Sequence, residues 1–183
     1  MGSGPVTFSP YESGESRKHL KGKPCAWVTV EFHTPEKNSF RWPGVLDTGS
    51  IYTLLPGEGG DFETEEEANT ALFKPLAVKL VNFEKHSSDL PGSLELPRRS
   101  MGRKAVVRRL RSIDGPERFH VPCEAYLDVN GFEGLDLQVV YLHPKIDHVI
   151  LGWLLLKQFH GICLRNTCYR PGRCWLQPRE FFR

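Results

Sequence analysis

The sequence predicts a mainly β fold. Short runs rich in Val, Ile, Phe, Tyr and Trp recur along most of the chain, and clusters of Gly, Pro, Asn and Asp separate them. Helical periodicity shows in two short stretches only. Residues 1–22 hold Gly, Ser, Lys and Glu without a period and read as a flexible tail or a late-ordering strand. Residues 26–32 alternate around β-branched positions and read as a strand. Residues 34–39 are turn material, and 40–46 return as a second strand interrupted by Pro43 and Gly44. Residues 51–55 make a third, ended by Pro56-Gly57. Thr64 followed by Glu67 has capping-box spacing, which predicts a short helix toward Phe73, stopped near Pro75. Residues 77–83 read as a strand and 84–103 as a loop or irregular hairpin. Strands are expected over 104–110 and 119–127 around the turn Asp114-Gly115-Pro116, then over 135–142. A short apolar run at 148–151 precedes a two-turn helix over 153–159, and two last strands fall near 162–165 and 174–176.

At 183 residues the chain suits one domain, placed at 23–178 between tails 1–22 and 179–183. Lys plus Arg number 24 against 22 Asp plus Glu, so a dedicated polyanion binder is not indicated. No apolar run is long enough for a membrane span, and the start lacks the basic flank and apolar centre of a secretory signal; a cytoplasmic location is expected. Five cysteines, an odd number, fit reduced thiols. Cys163, Cys168 and Cys174 cluster, but gaps of this size match zinc spacing poorly, and no metal site is assigned.

One segment carries chemistry: Val45-Leu46-Asp47-Thr48-Gly49-Ser50. Two apolar strand residues would set Asp47 at the mouth of a core. Gly49 lets the backbone turn close to the carboxylate and donate its N–H to it. Thr48 and Ser50 add short hydroxyls that can fix the turn or the acid. An Asp-x-Gly turn is also ordinary loop chemistry. A second segment, Ile150-Leu151-Gly152, stands well downstream, with Leu154, Leu155 and Phe159 following at helical spacing.

Together the two segments resemble the aspartic peptidases of the retropepsin type, in a cellular or bacterial rather than retroviral form. The resemblance implies a retropepsin-like acid protease barrel with one short helix after the Ile-Leu-Gly motif. It implies Asp47 as the catalytic acid, with Thr48, Gly49 and Ser50 as the supporting turn, and Ile150, Leu151 and Gly152 as the second motif beside it. Thr48 would bond across a dimer axis, and Ser50 would bond the outer carboxylate oxygen. The chain holds a single Asp-Thr-Gly, so two copies would have to pair as a two-fold homodimer to bring two Asp47 carboxylates together. The substrate implied is an extended peptide or protein; no metal or organic cofactor is implied.

The sequence departs from the retroviral pattern at two linked positions. Where those members place Arg after the second motif and Asp four residues beyond the catalytic one, this chain has Trp153 and Ile51. A substrate-covering flap has two candidates, 91–103 and the hairpin tip 112–117. Two other functional classes compete with the peptidase: a catalytically inactive retropepsin-fold domain for dimerisation or peptide binding, and a nucleic-acid module using the basic 98–111 stretch. The near-neutral chain argues against the latter. His148, just ahead of the second motif, reads as a strand-end residue.

Overall fold

The computed structural model describes residues 5–10, 24–33, 39–84, 94–96, 106–111, 116–130, 135, 137–162 and 174–178. Among them the protein is mainly β, with two short helices. Strand β1 (Pro5–Pro10) is followed by β2 (Pro24–His33) and β3 (Ser39–Leu46). Next come β4 (Thr53–Glu58), β5 (Asp61–Phe62), helix α1 (Glu65–Leu72) and β6 (Leu76–Leu80). Then follow β7 (Leu94–Leu96), β8 (Arg108–Arg111), β9 (Glu117–His120), β10 (Pro122–Val129) and β11 (Gln138–His143). The chain continues through β12 (Val149–Leu151), helix α2 (Trp153–Leu156), β13 (Phe159–Ile162) and β14 (Cys174–Pro178).

Hydrogen bonding runs through β2, β3, β12, β4, β11 and β10 and returns from β10 to β2, so these six strands form a closed circuit. Closure works because β2 divides one edge between two partners. Its first residues pair with β1, and Val30 to His33 pair with β10. The alternation that marks β2 as a strand buries Ala26, Val28, Val30 and Phe32. They join Phe40, Trp42, Leu55, Leu127, Leu142 and Leu151 in one hydrophobic core. A separate three-stranded sheet runs β5-β9-β8.

Several sequence expectations are corrected here. Within the 1–22 segment, read as a flexible tail or a late-ordering strand, Pro5–Pro10 forms β1, held between β2 and β14. That pairing comes from distant partners and leaves no local period to read. Strand β3 runs through Pro43 and Gly44 without a break: Pro43 is exposed, and at Gly44 a β-carbon would lie 2.6 Å from Val30 Cγ2. Strand β4 begins at Thr53 and includes Pro56-Gly57, because parallel pairing with β11 carries it on to Pro56 opposite His143. The strand expected over 119–127 is divided at Val121 into β9 and β10, which belong to different sheets. Helix α2 has one turn rather than two, since buried Phe159 already belongs to β13. Helix α1 has both capping-box bonds: Glu67 N–H donates to Thr64 Oγ1, and Thr64 N–H donates to Glu67 Oε2. The loops at 34–38 and 112–115, Cys163, Cys168 and most of 85–105 lie outside the described residues, as do 1–4, 11–22 and 179–183.

Candidate active site

Strand β3 delivers Asp47 at its end, and the chain turns through Thr48-Gly49-Ser50 before entering β4. Strands β3 and β4 do not pair with each other. Strand β12 lies between them, parallel to β3 and antiparallel to β4. Ile150 thereby sits opposite both Val45 and Leu54, and Leu151 opposite Leu46. The two sequence motifs are thus adjacent strands of one sheet, although more than half the chain separates them.

Backbone hydrogen bonds join them. Asp47 N–H donates to Leu151 O at 3.0 Å, Trp153 N–H to Ser50 O at 2.7 Å, and Leu154 N–H to Ile51 O at 3.1 Å. Gly152 N–H donates to the buried Thr53 Oγ1 at 3.2 Å. Gly152 is required here: a β-carbon on it would lie 2.3 Å from Tyr52 O and 2.4 Å from Tyr52 C. The turn closes on itself through Ser50 N–H to Asp47 O at 3.1 Å. Gly49 N–H donates to Asp47 Oδ1 at 3.0 Å, the bond that Asp-x-Gly spacing permits. Thr48 and Gly49 are exposed at the tip, while Asp47 and Ser50 are half-buried.

Ser50 differs from what the resemblance implies. Its hydroxyl donates to Tyr52 O at 2.8 Å, so its single proton is directed down the chain rather than toward the outer carboxylate oxygen. Ile51 and Trp153, the two positions that depart from the retroviral pattern, come together on the surface beside the turn. Ile51 is 59% exposed, Trp153 51% and Leu154 38%, and the backbone bonds from 153 and 154 to Ser50 and Ile51 make them one apolar patch. Leu155 and Leu156 of α2 point into the core.

Three neighbours of the site carry no sequence signal beyond their residue type. Thr53 reads only as a strand residue, yet its buried hydroxyl receives Gly152. Tyr52 packs its ring edge-on against Tyr141 at 5.1 Å between centroids. Arg108, at the start of β8, lies 5.3 Å over the Tyr52 ring. Of the basic 98–111 stretch, Arg108 and Arg109 are described with their side chains; Arg109 pairs with Glu117 across the β8–β9 hairpin. His148, directly before β12, is buried with Nδ1 2.6 Å from Asp147 Oδ1. Among the described residues no group of His, Cys, Asp or Glu is arranged to hold a metal ion, and no helix is long and apolar enough to cross a membrane.

No family model, no curated protein and no solved structure matches the chain.

Proposed function

We propose that the protein is a retropepsin-like aspartic endopeptidase, active as a two-fold homodimer through Asp47 of each subunit. The observation that carries this reading is the insertion of β12 between β3 and β4. It lays Ile150-Leu151-Gly152 against the Asp47-Thr48-Gly49-Ser50 turn by backbone hydrogen bonds. A turn that merely ended a strand would need neither the inserted strand nor a glycine pressed onto Tyr52. The closed six-strand circuit supports a barrel of the retropepsin kind.

One carboxylate cannot both activate water and protonate the carbonyl, so the chemistry calls for a second Asp47. The patch of Ile51, Trp153 and Leu154 beside the turn supplies apolar surface that a second copy would cover. It stands where the retroviral pattern has an ion pair. In the dimer the two carboxylates share one proton, because like charges so close resist ionising together. The ionised one takes a proton from the water as its oxygen attacks the scissile carbonyl carbon. The protonated one gives its proton to the carbonyl oxygen. The resulting gem-diol then collapses: the carboxyl that took the water's proton gives it to the departing nitrogen as the C–N bond breaks, and the other carboxylate takes a gem-diol hydroxyl proton, which restores the shared proton. The β8–β9 strand pair, where Arg108 lies over Tyr52, is the flap candidate of this reading.

The test compares wild type with Asp47→Asn on a diverse peptide pool, read by mass spectrometry from acidic to neutral pH, with circular dichroism to check the fold. Cutting by wild type and loss of cutting in the variant is the expected result. Equal cutting by both would remove Asp47 from the chemistry. Silence from a wild type that sediments as a dimer would favour an inactive peptide-binding domain.

A further inference from the structure

Beside the Asp47 turn the chain builds a second polar feature that the hydrolysis does not use. Tyr52 is fixed from three directions: its carbonyl accepts the Ser50 hydroxyl, its peptide lies against Gly152, and its ring meets Tyr141. Tyr141 is buried and donates its hydroxyl to Val106 O at 3.1 Å, which pins the chain two residues before Arg108. Burial pushes the Tyr141 hydroxyl up to about 12, with Arg108 pulling the other way, so at neutral pH it is a neutral dipole. Arg108 therefore rests on the ring of Tyr52, whose edge meets the ring of Tyr141.

Several other described cations have carboxylate partners. Lys79 pairs with Glu58, Arg109 with Glu117, and Arg118 with Asp61 and Glu63. Arg108 is exposed, and no carboxylate among the described residues pairs with it. A guanidinium already held over a ring loses little further freedom when it binds, and its planar donors match a carboxylate. Tyr52 lies five positions after Asp47, at most about 17 Å away if the chain were fully extended. An extended peptide rises about 3.3 Å per residue, so Arg108 falls within reach of side chains a few residues from the scissile bond.

We propose that Arg108 determines specificity by binding an acidic side chain, Asp or Glu, of the peptide substrate to one side of the scissile bond. The proposal rests on the peptidase reading of Asp47, and its test separates the two. Wild type, Arg108→Gln and Arg108→Glu are given a random peptide pool. Cut sites are scored by mass spectrometry for acidic residues within five positions on either side. The enriched position is then compared in matched Glu and Gln peptides. The Glu peptide should be cut with a kcat/KM about tenfold above its Gln counterpart. That ratio should fall to about one in Arg108→Gln, and Arg108→Glu should favour Lys at the same position. Cut sites with no acidic enrichment, or an enrichment unchanged in Arg108→Gln, would overturn the proposal and leave the peptidase reading intact. Should wild type cut nothing, the same pool is passed over immobilised protein. Retention of Glu-containing peptides by wild type and not by Arg108→Gln would support the Arg108 assignment and refute the peptidase. Equal retention by both would refute the assignment as well. Arg108 is exposed, so both variants should fold; thermal midpoints check this.

Discussion

Replacing Gly152 by alanine is the sharpest structural test of the paired motifs. The new methyl would sit 2.3 Å from Tyr52 O, 2.4 Å from its C and 2.8 Å from its N, all backbone atoms without a rotamer to escape into. Relief to ordinary contact requires a shift of about 1 Å between the start of α2 and the segment entering β4. Three hydrogen bonds cross that gap, from Gly152, Trp153 and Leu154, at 3.2, 2.7 and 3.1 Å. A shift of that size lengthens them to roughly 3.7–4.2 Å, beyond hydrogen-bonding range. Each buried donor left unmade costs about 1–3 kcal/mol, and partial relaxation brings the expected loss to about 3–5 kcal/mol. Domains of ordinary stability have about 5–15 kcal/mol in all. Urea unfolding should show a midpoint lowered by about 1.5–2.5 M at unchanged slope, for a slope near 2 kcal/mol/M. A loss below about 1 kcal/mol would refute the close approach of Gly152 to Tyr52 and the paired motifs built on it.

Gly49→Ala is the counterpart, since its β-carbon would meet only Asp47 Oδ1, at 3.2 Å; stability should change by less than about 1 kcal/mol while peptide cleavage falls by tenfold or more as the carboxylate is displaced. In the proposed homodimer, Trp153→Glu should weaken self-association by about 100-fold or more, because the change would occur twice across the two-fold axis and set like charges near each other; sedimentation equilibrium reads this, and a dimer unchanged by the substitution would move the interface elsewhere. His120 is buried, with Nδ1–H donating to Leu142 O at 2.8 Å; its ring stacks on His143, and Asp61, Arg118 and Lys145 face the same cleft. Burial holds its pKa below the ordinary imidazole value, so the unfolded chain binds the proton first, and stability present above about pH 6.5 is lost as pH falls. His120→Asn can retain the donor to Leu142 and should flatten the stability profile between pH 7 and 5; an unchanged profile would place the acid sensitivity in another group.

What the sequence made legible was local. Thr64 and Glu67 announce α1 because both capping bonds close within four residues. The alternation of 26–32 announces β2 because one face of the strand is buried. The errors come from partners far along the chain. Pro56 and Gly57 look like a stop, yet they continue β4 because β11 and β6 pair there, and a β-carbon on Gly57 would lie 3.1 Å from Leu142 Cδ2. Pro5–Pro10 has no period to reveal that β2 and β14 flank it. In the site, residue types alone single out Asp47 through Ser50 and the second motif. That Thr53 receives Gly152, that Ser50 donates to Tyr52 and that Arg108 covers Tyr52 are facts of tertiary neighbourhood.

The inserted strand also sets an order of events. Asp47 is held by Leu151, and the strand that separates β3 from β4 is made long after both. A chain growing from the ribosome has already emitted its Asp-Thr-Gly turn while the residues that brace it are still untranslated. Until Gly152 and the helix behind it emerge, β3 and β4 lack the strand between them and the turn lacks its fixed geometry. On the proposed peptidase reading, nascent chains would therefore carry the acid without the means to aim it. Any nick or early stop that removes residues 149–152 should return the molecule to that unarmed condition, with Asp47 still present.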